Sequence, residues 1–206
     1  MGKQIDLELP VCVYRVGDTA FSDDQVAWMI TRTNCKLKVA RIRVVVEKTV
    51  DIAVKTLAYV DDVEGPQQNI YQLLAYGAGP VDDKTLRIFL VKNHIRTCDG
   101  SWTYDPVDEP DDEYLWGGAI FITELYNDNS DECYYQLGYP ETSDSLLHEL
   151  GHVLMQQKEH YDGPYCNFLH IESAQLDDTI FADQIERMRQ VGSETYRYLR
   201  PIESSA

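Results

Sequence analysis

The chain has 206 residues, 44% of them apolar, which suffices for one domain with its own core. Asp and Glu outnumber Lys and Arg by 35 to 18; the resulting net charge of −17 repels nucleic acid and anionic membranes and attracts metal cations and basic peptides. No apolar run approaches the roughly 20 residues that span a bilayer, and the opening MGKQIDLELP has neither the apolar core nor the small-residue cleavage site of a secretory signal. A soluble protein is therefore expected, either cytoplasmic or a secreted mature form, with its oligomeric state left open.

Residues 9–16 (LPVCVYRV) read as a first strand, with Cys12 as a core thiol. Ser22 is placed to cap a helix, with Gln25 at the reciprocal capping position, and Val26, Met29 and Ile30 recur at helical spacing through residue 34. Residues 40–46 (ARIRVVV) form a second strand and 51–60 a further one. Gly65-Pro66 opens a helix through Ala75, proline being favoured at the first helical position. A turn at 77–80 leads to 85–91 (TLRIFLV), a strongly apolar strand expected to be buried. Residues 93–115 read as one long polar loop that includes His94. Its acidic stretch at 105–113 (DPVDEPDDE) offers oxygen ligands for Ca2+ but lacks EF-hand spacing, so a solvated acidic loop is the primary reading.

Residues 117–125 (GGAIFITEL) form another strand, 127–132 a polar turn, 143–157 a helix and 182–190 a last helix. Strands and helices mixed in this order predict an α+β or α/β fold; the expectation is one α+β domain spanning 1–206, a mixed twisted sheet carrying the helix at 143–157 and the C-terminal helix. Of the five cysteines, Cys98 and Cys133 lie in polar sequence and could pair. No CxxC occurs, so a cysteine-rich zinc knuckle is excluded.

The helix at 143–157 contains His148-Glu149-Leu150-Gly151-His152. Residues four apart are about 40° apart around a helix and about 6 Å along it, so His148 and His152 can share one metal ion. Glu149 lies about 100° round from His148. Its carboxylate then falls beside the metal rather than on it, where it can take a proton from a zinc-activated water. Leu146, Leu150, Val153 and Leu154 collect on the opposite face and attach the helix to the core. A catalytic zinc keeps three protein ligands and one open position. The candidates for the third are His160, Asp162, His170 and Glu172; Lys158 is a poor zinc ligand.

Three segments make the chain resemble the metzincin zinc peptidases. HELGHVL (148–154) is similar to their active-site helix, Asn167-Phe168-Leu169-His170 to the turn below their metal, and 182–190 to the helix after that turn. Upstream, GGAIFITEL resembles the edge strand along which they lay the substrate. Against the pattern HExxHxxGxxH, Met155 replaces the glycine and Lys158 stands at the third histidine. The resemblance therefore implies His160 as third ligand, from a loop two residues longer, with Asp162 in reserve and Leu169 at the turn methionine. It implies a Zn2+-dependent endopeptidase acting on a peptide or protein substrate, with His148, His152 and His160 on zinc and Glu149 as general base. Two other readings stay open: a gluzincin-type peptidase with Glu172 as third ligand, and an inactive zinc-stabilised binding protein. Tyr161 and Tyr165 lie near the ligand loop, with packing as the expected role and oxyanion contact as the other.

Overall fold

The computed structural model describes residues 6–55, 59–60, 73, 85–94, 102–104, 119–127, 133–135, 140–155, 160–161, 167–169, 179–194 and 199–202. The chain begins with β1 (Leu7–Val16), α1 (Asp23–Leu37) and a single 3-10 turn (Lys38–Ala40), which leads into β2 (Ile42–Ile52). Short β3 (Tyr59–Val60), β4 (Leu86–Val91) and short β5 (Asn93–His94) follow, then β6 (Trp102–Tyr104), β7 (Ala119–Thr123), β8 (Leu125–Asn127) and β9 (Cys133–Tyr135). The last elements are α2 (Pro140–Met155), α3 (Ala182–Glu194) and β10 (Arg200–Pro201).

The main sheet is mixed, as the element order predicted. Strands β2, β1, β4 and β7 run parallel and side by side, β6 closes antiparallel on β7, and β10 pairs antiparallel with Leu7 and Glu8 of β1. One face carries Leu9, Val11 and Val13 with Ile42, Val44, Ile88, Leu90, Ile120 and Ile122, and α1, α2 and α3 pack on it. The other face buries Cys12, Tyr14, Val16, Phe89, Val91 and Phe121, together with Leu73. Tyr14, Phe89 and Phe121 stack there in a row, with ring centroids 4.8 and 5.1 Å apart. Burial on both faces is why β4 and β7 read as unbroken apolar runs rather than alternating ones. It also pushes the Cys12 thiol up from its ordinary pKa, as suits an inert core thiol.

Helix α1 is capped as its sequence predicts: Gln25 N–H donates to Ser22 Oγ, and Ser22 N–H donates to Gln25 Oε1. The chain then turns back through Arg41, whose φ of 55° is the left-handed region. Arg189 of α3 donates to Ala40 O at 2.7 Å and so pins this turn from the far end of the sequence.

Three expectations are corrected. Residues 42–52 are one strand, not two: β2 accepts a bulge opposite Val11–Cys12 that leaves Glu47 as the extra residue. Glu47 accepts from Thr85 Oγ1 and from Arg200, so its charge inside a strand is satisfied. Second, the long loop expected at 93–115 contains β5, which takes in His94, and β6. Third, β7 is not the edge strand. It is hydrogen-bonded to β4 on one side and β6 on the other, its five residues are all buried, and β6 holds the edge among the described residues. Of the helix expected after Pro66, Leu73 alone is described; it is helical and buried. The turn at 77–80, the acidic stretch at 105–113 and Cys98 lie outside the described residues.

Candidate metal centre

Helix α2 is amphipathic in the sense its sequence predicts. Leu146, Leu147, Leu150, Val153 and Leu154 are fully buried against the sheet and α1. Glu149 and His152 are buried, His148 is partly so, and His160 is exposed. Met155, the last described residue of α2, accepts at its carbonyl from Arg187 Nε of α3 at 2.8 Å.

His148, His152 and His160 come together. Their ring centroids are 4.8, 5.1 and 5.2 Å apart, close to an equilateral triangle. Their ligand nitrogens all lie within 4.8 Å of one another, and the Nε2 atoms of His148 and His152 are 3.1 Å apart. Nitrogens about 2.0–2.1 Å from a tetrahedral zinc would be roughly 3.3 Å from each other, so the α2 pair already has the required separation. Among the described residues the group is three imidazoles, a donor set that suits zinc and would leave a fourth position for water or substrate.

The protonation of His148 is set locally. Its Nδ1 lies 3.0 Å from Phe168 O, and a carbonyl can only accept. Nδ1 therefore carries the hydrogen and Nε2 presents its lone pair to the triangle. Burial, followed by the neighbouring His152 and His160, pushes the His148 pKa down to about 3, against the opposing hydrogen bond to Phe168. The ring is thus neutral at neutral pH, the form that ligates.

The turn at 167–169 passes directly beneath α2. It reaches the helix because residue 151 is glycine: a Cβ there would fall on the edge of the Phe168 ring and within 2.8 Å of Leu169 Cδ2. Leu169 O accepts from Tyr161 N–H at 3.0 Å, anchoring the chain one residue after His160. Tyr161 itself packs edge-on against Phe181, 5.5 Å between centroids, the packing role expected of it. Residue-by-residue reading missed the Phe168 carbonyl, Gly151 as a point of close approach, Arg187 on the helix end, and a buried Asn167–Gln184 pair below the turn. Gln184 stands third in α3, a position from which glutamine reaches back to a helix start, so this one had a sequence signal. Asp162, Tyr165, His170 and Glu172 lie outside the described residues.

No protein-family model matches the sequence, and a search of curated proteins finds no relative. Solved structures do match. Metalloproteinase-II from Bacteroides fragilis superposes with a TM-score of 0.58 at 18% identity, over 90% of this chain and 53% of that one. The chain thus spans about half the length of that protein. Archaemetzincin from Methanopyrus kandleri superposes with a TM-score of 0.56 at 14% identity, over 91% of this chain and 97% of that one. What the chain shares with metalloproteinase-II and archaemetzincin is therefore the fold, over nearly all of its own length.

Proposed function

We propose that this chain is a zinc-dependent endopeptidase of the metzincin type, its 206 residues forming one catalytic domain. One observation carries the reading: His160, from beyond the end of α2, closes a triangle with the two histidines that one turn of that helix presents. A solvent-facing loop histidine has no reason to stand there. The likeness in fold to metalloproteinase-II and archaemetzincin supports the same conclusion.

In this reading His148, His152 and His160 hold the ion. A bound zinc supplies Lewis acidity and brings the pKa of a water it holds from about 15.7 to about 7. The remaining work belongs to the protein. Glu149, adjacent to His148 and buried, takes the proton of the attacking water on its carboxylate and returns it to the departing amine. The Phe168 carbonyl keeps the His148 proton on Nδ1, so that ring does not compete for the transferred proton.

The test pairs two variants with zinc analysis and a peptide-library assay. The parent protein is expected to hold one zinc per chain and to cleave peptides. Glu149→Gln should keep the zinc and lose about 10²- to 10⁴-fold in kcat, the span of general acid–base contributions. His160→Ala should lose zinc affinity. Parental zinc affinity in that variant would move the third ligand to Asp162 or Glu172. A zinc-loaded parent that cleaves nothing across the library would leave the zinc-stabilised binding protein as the correct reading.

A further inference from the structure

The turn at 167–169 reaches the site twice through its backbone: Phe168 O meets His148 Nδ1 of the triangle, and Leu169 O accepts from the N–H of Tyr161, the residue after His160. Three residues cannot fix the direction of their own carbonyls. Beneath them lie two fully enclosed amides, Asn167 at 0% and Gln184 at 7% exposure.

The amides face each other reciprocally. Asn167 Nδ2 donates to Gln184 Oε1 at 2.8 Å, and Gln184 Nε2 donates to Asn167 Oδ1 at 3.1 Å. Three further bonds go to the backbone. Asn167 Nδ2 also donates to Thr179 O at 3.2 Å, Asn167 Oδ1 accepts from Leu169 N–H at 3.0 Å, and Gln184 Oε1 accepts from Phe181 N–H at 2.9 Å. The two backbone donors fix which end of each amide is oxygen, so the pair has one arrangement only. It joins the turn, the segment at 179–181 and the first turn of α3.

An apolar pair of similar volume would fill the same space and leave Leu169 N–H, Phe181 N–H and Thr179 O without these partners. Amides here cost desolvation that hydrophobic side chains would not, and what they add is a single geometry. We propose that Asn167 and Gln184 are positioning residues of the metal centre. Their paired amides hold the Phe168 carbonyl on His148 Nδ1, and hold Leu169 O where it sets the approach of His160. The proposal rests on the reading in which the three histidines bind zinc.

The experiment uses the full chain with Zn2+ and Co2+ as probes. Parent, Gln184→Met and Asn167→Ser are compared with Val13→Ala, a core change on β1. Stability is read by urea unfolding, zinc affinity by competition with a chromophoric chelator, and ligand geometry by the cobalt d–d spectrum. The tautomer of His148 is read by imidazole 15N shifts in the metal-free protein. The two amide variants are expected to bind zinc about 10- to 100-fold more weakly, as loss of groups that orient a ligand does. They should also change the cobalt spectrum and move His148 away from its Nδ1–H form. Val13→Ala should lose stability and keep parental affinity and spectra. If an amide variant does not fold, Gln184→Glu and Asn167→Asp, which preserve volume, take its place with the same expectations.

Folded amide variants with parental zinc affinity and parental His148 shifts would overturn the positioning role and leave the zinc reading intact. An equal loss of affinity in Val13→Ala would show general loosening and overturn it as well. A parent that binds no zinc would overturn both readings together.

Discussion

Gly151 stands in the interior of α2, where glycine costs roughly 1 kcal/mol relative to alanine. The helix accepts that cost because the turn at 167–169 lies against this point, with the Phe168 ring and Leu169 where a side chain would otherwise be. Gly151→Ala sets the two effects against each other. Helix propensity favours alanine by about 1 kcal/mol; overpacking a rigid core costs typically 1–3 kcal/mol. The contact on Phe168 is far inside van der Waals range, so the overpacking should win, with a net loss of up to about 2 kcal/mol in urea unfolding. The same displacement moves the Phe168 carbonyl off His148, so zinc affinity should fall with stability. Truncating the obstruction as well, in Gly151→Ala with Phe168→Leu, should recover part of both. A single variant more stable than the parent would show that the turn yields freely. At this scale the site was half legible in the sequence. His148, Glu149 and His152 follow from helical periodicity alone, because their relation is local. His160 could be singled out only as one candidate among several, because its place depends on contacts distant in sequence, such as the bond from Tyr161 N–H to Leu169 O in the 167–169 turn.

Elements show the same division between local and tertiary information. The cap and apolar stripe of α1, the buried face of α2, and β4 were readable because each is written within a dozen residues. Strand β2 was cut in two because Glu47, Lys48 and Asp51 interrupt its apolar pattern. They fit because β2 lies at the sheet edge among the described residues, where charge is tolerated and discourages pairing with other chains. Strand β6 was hidden in polar sequence for the same reason, and β7 was misplaced because an apolar run does not say which side it pairs on. The edge of β2 has a further protection. Asn34 of α1 donates from Nδ2 to Val44 O at 3.0 Å and accepts from Val44 N–H at 2.7 Å, pairing with the strand much as another backbone would. Asn34→Ala leaves both groups of the buried Val44 without this partner, and about 1–3 kcal/mol of stability should be lost. Asn34→Asp keeps the acceptor and loses the donor, and should fall between the parent and the alanine variant. Equal stability of Asn34→Ala and parent in urea would mean water replaces the amide without cost.

For the molecule as a whole, the governing quantity is the excess of seventeen negative charges. Several of the eighteen basic side chains are already engaged: Arg15 with Asp23 and Asp51, Arg41 with Asp6, Arg43 with Glu8, and Arg200 with Glu47. These exposed pairs contribute little to stability, but they cancel local positive potential, so the field reaching solvent is that of the carboxylates. Two consequences have opposite signs with salt. Self-repulsion weakens the folded state, so raising NaCl from about 0.01 M to 1 M, which shortens the screening length from about 30 to 3 Å, should raise the unfolding midpoint. Substrate capture should move the other way. A field of one sign increases encounter rates for an oppositely charged ligand by about 10- to 10³-fold at low salt. If the chain cleaves peptides as proposed, kcat/KM for a cationic peptide should fall by about tenfold or more across that salt range. The same scissile sequence flanked by glutamates should be cleaved slowly at low salt and faster as salt rises, because screening removes a repulsion. The stability curve separates this from damage to the enzyme, since salt is expected to strengthen the fold while it slows the cationic substrate. Parallel salt responses for the two peptides would mean that the net charge serves solubility alone and has no part in choosing the substrate.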